Sequence, residues 1–288
     1  MRFLPFATMI AGAAAALAPL WPVPAWTAGP AERVVSLNLC TDELLLRLAD
    51  PAKISSVTWL SRDPSSSNVA DLAQQVPINH GLAEQVVASE PDLVLAGTYT
   101  TRTAVGMLRR TAIPVIELGV PRDFDEIRQQ IRDVAALVHA EEKGRQLIDE
   151  IDRRVAAVAS KPRSMRPTAV VLNPNGATVG QGTLADQVMT AAGLVNIAGK
   201  LRTDKYGTIP LEIVALHEVD VLIVSASRNG PPSMATELLR HPVLSKLTRT
   251  RIVVLPGRLW NCGGPGVAEA VERLDAVAAD VARGRSAQ

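Results

Sequence analysis

Histidine, aromatic side chains and an excess of either charge are what this chain has least of. The four histidines (His80, His139, His217 and His241) share no ligand spacing, and a zinc site needs several His or carboxylate ligands brought together. No resident metal or cofactor is expected. Ser36 and Ser225 stand at strand ends without a G-x-S-x-G elbow, and "GQGTLADQ" (180–187) lacks the lysine that a phosphate-binding loop requires. No catalytic residue is assigned, and a secreted α/β hydrolase is the only enzyme alternative kept. Lys and Arg number 30 against 29 Asp and Glu. That balance gives no polybasic face for nucleic acid or an acidic membrane. Beyond residue 20 no apolar run is long enough to span a bilayer.

The first residues have a separate logic. Arg2 precedes an alanine-rich apolar run from Phe3 to Leu20, and small residues follow at Val23-Pro24-Ala25 and again at Ala28. This pattern predicts a secretory signal peptide over 1–28. Pro5, Pro19, Pro22 and Pro24 argue against a membrane anchor, and no cysteine stands at the exit for lipid attachment. The rest of the 288 residues, 47% hydrophobic and 20% charged overall, can bury a large core.

Past residue 28 the chain alternates β-rich runs with helical periodicity. Strands are expected at 33–39, 54–58, 92–96 and 114–118, then at 168–172, 220–225 and 251–255. Helices are expected from Cys40 to Ala49, with Thr41 or Asp42 as N-cap, and at 183–192 and 235–239. Such alternation predicts an α/β fold of two Rossmann-like lobes with mostly parallel sheets, at 29–122 and 162–288. Between them, 123–161 reads as helix nearly end to end: a shorter helix ending near His139, and a longer one from Ala140 that stops before Lys161-Pro162. A long bridging helix predicts little relative motion of the lobes. The lobes also repeat one another. Glu84 precedes Asp92 and the strand "LVLA" as Glu212 precedes Asp220 and the strand "VLIV", which predicts an internal duplication.

Three segments in this order carry a resemblance. "RVVSLNLCTDELLLRLAD", "PDLVLAG" and "RIVVLPGRLW" are similar to the first strand and helix, the third strand and the last strand and cleft loop of the periplasmic binding proteins of ABC importers for cobalamin and ferric chelates. The resemblance covers essentially the whole chain after the signal peptide. It implies two lobes bridged by one long helix, a ligand held between them and a periplasmic location. The implied partners are a membrane permease dimer with its cytoplasmic ATPase. It also implies that Glu84 and Glu212, one per lobe, dock onto permease arginines, although both residues equally suit a helix N-terminus. A monomer is expected.

Ligands of parallel α/β sheets bind at the carboxyl ends of strands. Past residue 28 the aromatics are Trp59, Tyr99, Phe124, Tyr206 and Trp260, and all but Phe124 fall in expected cleft loops. Broad apolar rings with polar tips suit a large flat ligand. Arg62, Arg102, Arg228 and Arg258 lie near them, where each fits either a bidentate anion contact or a solvated surface charge. The strand-end loop "NPNGAT" (173–178) either lines the cleft, with Asn175 as the candidate, or only turns the chain. Cys40 and Cys262 are expected to face the same cleft from opposite lobes, and a disulfide, two free thiols and thiolate coordination of a ligand's metal are all compatible with that placement. With aromatics prominent and no cationic cluster, a corrinoid is the first expectation. A ferric siderophore comes next, then haem with Tyr99 or Tyr206 as axial ligand.

Overall fold

Short β-branched runs make the strands, and the alternation within each run decides how the layers stack. The computed structural model describes residues 31–201, 206–224, 241–245 and 247–286. Five parallel strands, β1 (Val34–Ser36), β2 (Ile54–Thr58), β3 (Ile78–Asn79), β4 (Leu93–Gly97) and β5 (Val115–Leu118), form one sheet in the order β3-β2-β1-β4-β5. Around it lie α1 (Leu39–Leu48), α2 (Ala70–Ala73), α3 (Ala83–Ala88) and α4 (Arg102–Leu108).

The second sheet repeats the plan. It holds β6 (Thr168–Leu172), β8 (Val195–Asn196), β10 (Val221–Val224) and β11 (Arg251–Val254) in the parallel order β11-β10-β6-β8. A two-stranded antiparallel ribbon, β7 (Ala177–Val179) with β9 (Tyr206–Thr208), stands beyond the end of β6. Among the described residues the helices around it include α7 (Leu184–Ala191), α8 (Leu211–Leu216) and α9 (Pro242–Ser245). Arg228, Ser225 and the helix expected at 235–239 lie outside the described residues, as does the signal segment.

Successive residues of a strand face opposite sides of its sheet. Val34, Leu93 and Leu95 therefore enter a different cluster from Val35 and Val94, and Ala169, Val171, Val221 and Ile223 a different one from Val170, Leu172, Leu222 and Val224. The inner faces of both sheets contribute to one and the same cluster. A single apolar core thus runs under both lobes, and each lobe adds a smaller outer core of its own.

The bridge breaks where the sequence places the break. Helix α5 (Phe124–Leu137) is capped by the Asp123 carboxylate, which accepts from Glu126 N at 2.8 Å. Helix α6 (Glu141–Ala159) follows a turn in which His139 takes φ 53°. The two pack closely at Gly144, where a Cβ would lie 2.8 Å from Ala135 Cβ. The bridge is not alone. The C-terminal helix α10 (Gly266–Ser286) runs beside α6, with a two-pronged Arg154–Glu272 pair at 2.8 Å and Asp275 paired to both Lys161 and Arg163.

The repeat has a structural meaning. Asp92, just before β4, accepts from the backbone N–H groups of Glu32 (2.8 Å) and Arg33 (3.0 Å) ahead of the neighbouring β1. Asp220, just before β10, accepts from Thr168 N at 2.8 Å at the start of the neighbouring β6. Two residues earlier in each lobe a glutamate takes the left-handed conformation, Glu90 with φ 45° and Glu218 with φ 43°. Glu84 and Glu212 occupy the first turns of two six-residue helices, α3 and α8. Both lobes thus use a carboxylate before the strand to hold the start of the neighbouring strand, Asp92 through two backbone donors and Asp220 through the backbone and hydroxyl of Thr168.

One local expectation is corrected. The first strand stops at Ser36, and the cap of α1 is Asn38, whose side chain accepts from Cys40 N at 2.9 Å. Thr41 and Asp42 lie inside the helix and are buried. Thr41 Oγ1 donates back to Asn38 O at 2.8 Å, a bond open to a hydroxyl in the first turn. The carboxylate of Asp42 turns inward, away from the helix end.

Candidate functional site

A cavity of about 240 Å³ opens between the carboxyl ends of the two sheets. The N-terminal lobe lines it with Asn38, Cys40 and Thr41 at the start of α1, with Gly97–Tyr99 after β4, and with Leu118–Pro121 after β5. β1 and β4 flank the point where the strand order reverses direction, the usual crevice of a doubly wound sheet, and β5 lies beside β4. Gly97 is required there, because a Cβ would sit 2.7 Å from Asn38 Cγ. The opposite wall comes from Asn173 at the end of β6, Val179 and Tyr206 of the ribbon, Thr183–Ala185 at the start of α7, and Trp260, Asn261 and Gly263 after β11.

The lining is apolar or neutral. Its polar side chains include four amides, Asn38, Gln130, Asn173 and Asn261, and no Asp, Glu, Lys, Arg or His lines it among the described residues. Trp260 is buried, while Tyr99 and Tyr206 are 80% and 59% exposed at the mouth. Partial burial, and then the neighbouring Tyr99, push the Tyr206 hydroxyl above its ordinary pKa. Asn173 Oδ1 is buried without a hydrogen-bond partner.

Cys40 and Cys262 form a disulfide, with Cα atoms 5.0 Å apart. The bond joins α1 of one lobe to the loop after β11 of the other, so neither sulfur is a free thiol or a thiolate for a ligand's metal. Only Cys40 reaches the cavity wall; Cys262 lies buried behind it. A polar latch reinforces the joint. Arg258 Nη1 donates to Asn68 Oδ1 at 2.6 Å, and Asn68 Nδ2 donates to the Arg258 carbonyl at 2.6 Å. Glu43, also within reach of Asn68 and Arg47, is buried enough that its carboxyl is raised above the usual range.

Asp42 lies in a polar cluster behind α1. Its Oδ2 accepts from Thr58 N at 3.1 Å, from Thr58 Oγ1 and from Ser61 Oγ at 2.5 Å. Burial pushes its pKa from the usual 3.8 to about 6, against the hydrogen bonds that favour the ionised form.

Of the residues singled out from the sequence, the structure brings Cys40, Tyr99, Tyr206 and Trp260 together at the cavity, with Cys262 just behind. Others stand elsewhere. Trp59 follows β2, outside the crevice, half-exposed with its ring 6.4 Å from that of His80. Arg62 donates to the carbonyls of Ala73 (3.1 Å) and Val76 (2.8 Å), which ties down a loop. Arg102 is exposed at the start of α4, and Arg258 is engaged by Asn68. Asn175, at φ 58°, lines a separate shallow groove beside Glu212 and His241. Glu84 and Glu212 are exposed. Sequence reasoning singled out the loop that begins at Asn173 but chose Asn175 within it, and it passed over Asn38, Gln130 and Asn261. Among the described residues no group of three or more His, Cys, Asp or Glu is placed to hold a metal, and no helix is long and apolar enough to cross a membrane.

Residues 34–253 match a family model described as periplasmic binding protein. A cobalamin-binding protein from Halobacterium salinarum is 26% identical over 252 residues, covering 84% of this chain and 68% of the relative. Among solved structures, the periplasmic heme-binding protein RhuT from Roseiflexus sp. RS-1 aligns with a TM-score of 0.70 at 22% identity, over 88% of this chain and all of that one. The periplasmic vitamin B12 binding protein BtuF of Vibrio cholerae aligns with a TM-score of 0.68 at 18% identity, over 88% and 98%.

Proposed function

Since this chain belongs to the periplasmic binding protein family, we propose that it captures a corrinoid between its lobes, in the periplasm, and delivers it to the permease of an ABC importer. The observation that carries this reading is the neutral, amide-rich lining that the described residues give the interlobe cavity. A corrin is a flat macrocycle edged with amides, and amide side chains can both donate to and accept from such a rim. The cavity is small for so large a ligand. It therefore seats one edge of the ring, while Tyr99 and Tyr206 offer their faces at the mouth.

Haem and anionic ferric chelates are the second reading, and the same lining weighs against them. Haem carries two carboxylates, and a buried carboxylate requires a cationic or multiply donating partner. The name of the Halobacterium relative points to the same chemistry as the cavity.

The test is optical. Mature protein is mixed separately with cyanocobalamin, haem and a ferric hydroxamate, freed of unbound compound and scanned in the visible range. Cyanocobalamin is expected to be retained. Retention of haem or the ferric compound instead, or of nothing, overturns the ligand assignment.

Docking is tested in cells. Reversing charge at both exposed knobs, Glu84→Arg with Glu212→Arg, is expected to abolish corrinoid uptake while the dissociation constant of the purified protein moves less than about twofold, since rim charges act on encounter with a partner. A large loss of ligand affinity would place these residues in the pocket instead.

A further inference from the structure

We propose that the Cys40–Cys262 disulfide is a positioning element of the ligand cavity, so that the oxidised chain holds its ligand more tightly than the reduced one. The inference rests on the corrinoid reading of the cavity and adds a redox dependence to it. The bond joins two stretches of wall. On the N-terminal lobe Asn38, Cys40 and Thr41 line the cavity, and on the C-terminal lobe Trp260, Asn261 and Gly263 line it on either side of Cys262 in the chain.

The backbone bonds around Cys262 do not cross this seam. Trp260 N and Asn261 N donate to Gly257 O at 3.1 and 2.8 Å, and Gly264 N donates to Cys262 O at 2.9 Å, all within the loop after β11. Gly263 is seated on the other lobe by close packing, since a Cβ there would lie 2.6 Å from Pro121 Cγ. The Asn68–Arg258 latch also joins the lobes, but neither of its residues lines the cavity. The disulfide is therefore the covalent fastening at the wall itself. A wall held in place before the ligand arrives loses less freedom on binding, and preorganisation of this kind appears as affinity. Reduction removes the fastening. A small dithiol supplies two electrons and two protons, the S–S bond becomes two S–H groups, and the dithiol closes to its own disulfide. Linkage makes the effect reciprocal: whatever factor reduction takes from ligand affinity, bound ligand takes from the equilibrium constant for reduction. A bond that served only to stabilise the fold would show neither effect in the folded protein.

The experiment titrates cyanocobalamin against the oxidised wild type, the wild type reduced by a dithiol, and the variant Cys40→Ser with Cys262→Ser. Cys40→Ala with Cys262→Ala replaces the serine pair if that pair does not fold, and thermal melts set a temperature at which every form is folded. The reduced wild type and the double variant are expected to bind about tenfold more weakly than the oxidised wild type, and the dithiol to leave the double variant unchanged. In buffers of set dithiol-to-disulfide ratio, saturating cyanocobalamin is expected to raise the ratio needed for half-reduction of the wild type by the same factor of about ten. Equal affinity in the three forms, or a half-reduction point that the ligand does not move, overturns the role of the disulfide while leaving the ligand class standing. An oxidised wild type that retains no corrinoid overturns both.

Discussion

Replacing Cys40 and Cys262 with serine is expected to lower the melting temperature of the mature protein by about 10 °C or more, and reductant is expected to lower that of the wild type equally. The two cysteines are 222 residues apart in sequence. Cross-linking so long a loop removes conformational freedom from the unfolded chain, equivalent to up to about 5 kcal/mol in the chain-entropy description. At about 2–4 °C per kcal/mol for a domain of this size, the shift is well outside measurement error. Dye-based melts with and without reductant, on the wild type and the double variant, check it. The position of the bond matters as much as the loop length. It joins the lobes at the wall of the cavity, next to the Asn68–Arg258 latch, where any splaying of the lobes would begin. A shift below about 2 °C would mean that the shared core and the helical bridge already hold the lobes unaided.

The second large effect is a dependence on pH through Asp42. Its pKa is raised from 3.8 to about 6 in the folded protein. Between these values the folded state keeps a proton that the unfolded state has released, so unfolding releases it and stability falls as pH rises. The contribution is fully present below about pH 4, is lost through pH 6 and is flat above. At about 1.4 kcal/mol per pH unit the change is about 3 kcal/mol. Asp42→Asn keeps an oxygen for Thr58 and Ser61 but cannot ionise. Urea unfolding at pH 4.5 and pH 7 is expected to show the wild type losing stability relative to this variant as pH rises. Glu43, also raised by burial, contributes in the same direction to both proteins and cancels in the comparison. Parallel pH profiles for the two proteins would rule the idea out.

The elements with local chemical signals were legible from the sequence. The helix break near His139 follows from the apolar periodicity of α5 and α6, and the stop at Ala159 from the proline just beyond it. The paired Glu and Asp positions were visible because a helix start and a strand start each make local demands. Helix α10, the longest among the described residues, was not foreseen. Its buried face leans on alanines, Ala268, Ala270 and Ala278, with only Val267, Val271 and Leu274 among them, and so carries a weak apolar stripe. The cap of α1 was misplaced because Asn38, Thr41 and Asp42 are all good cap residues within five positions, and only the strand's end decides among them. For the site, strand-end reasoning reached Tyr99 and Trp260, and the segment ahead of the helix expected near Pro210 supplied Tyr206, which lies on β9, yet such reasoning cannot say which strand ends face the other lobe. That depends on sheet order. β2 lies on the far side of β1 from β4 and β5, and Trp59 after it is not among the residues that line the cavity.

The bond between Cys40 and Cys262 also has a topological consequence. Together with the peptide backbone it closes most of the chain into a covalent ring that passes through both lobes. A protease that cuts once anywhere on that ring opens it without releasing a fragment. A nicked molecule keeps its full mass and both cavity walls until a thiol reagent separates the two pieces.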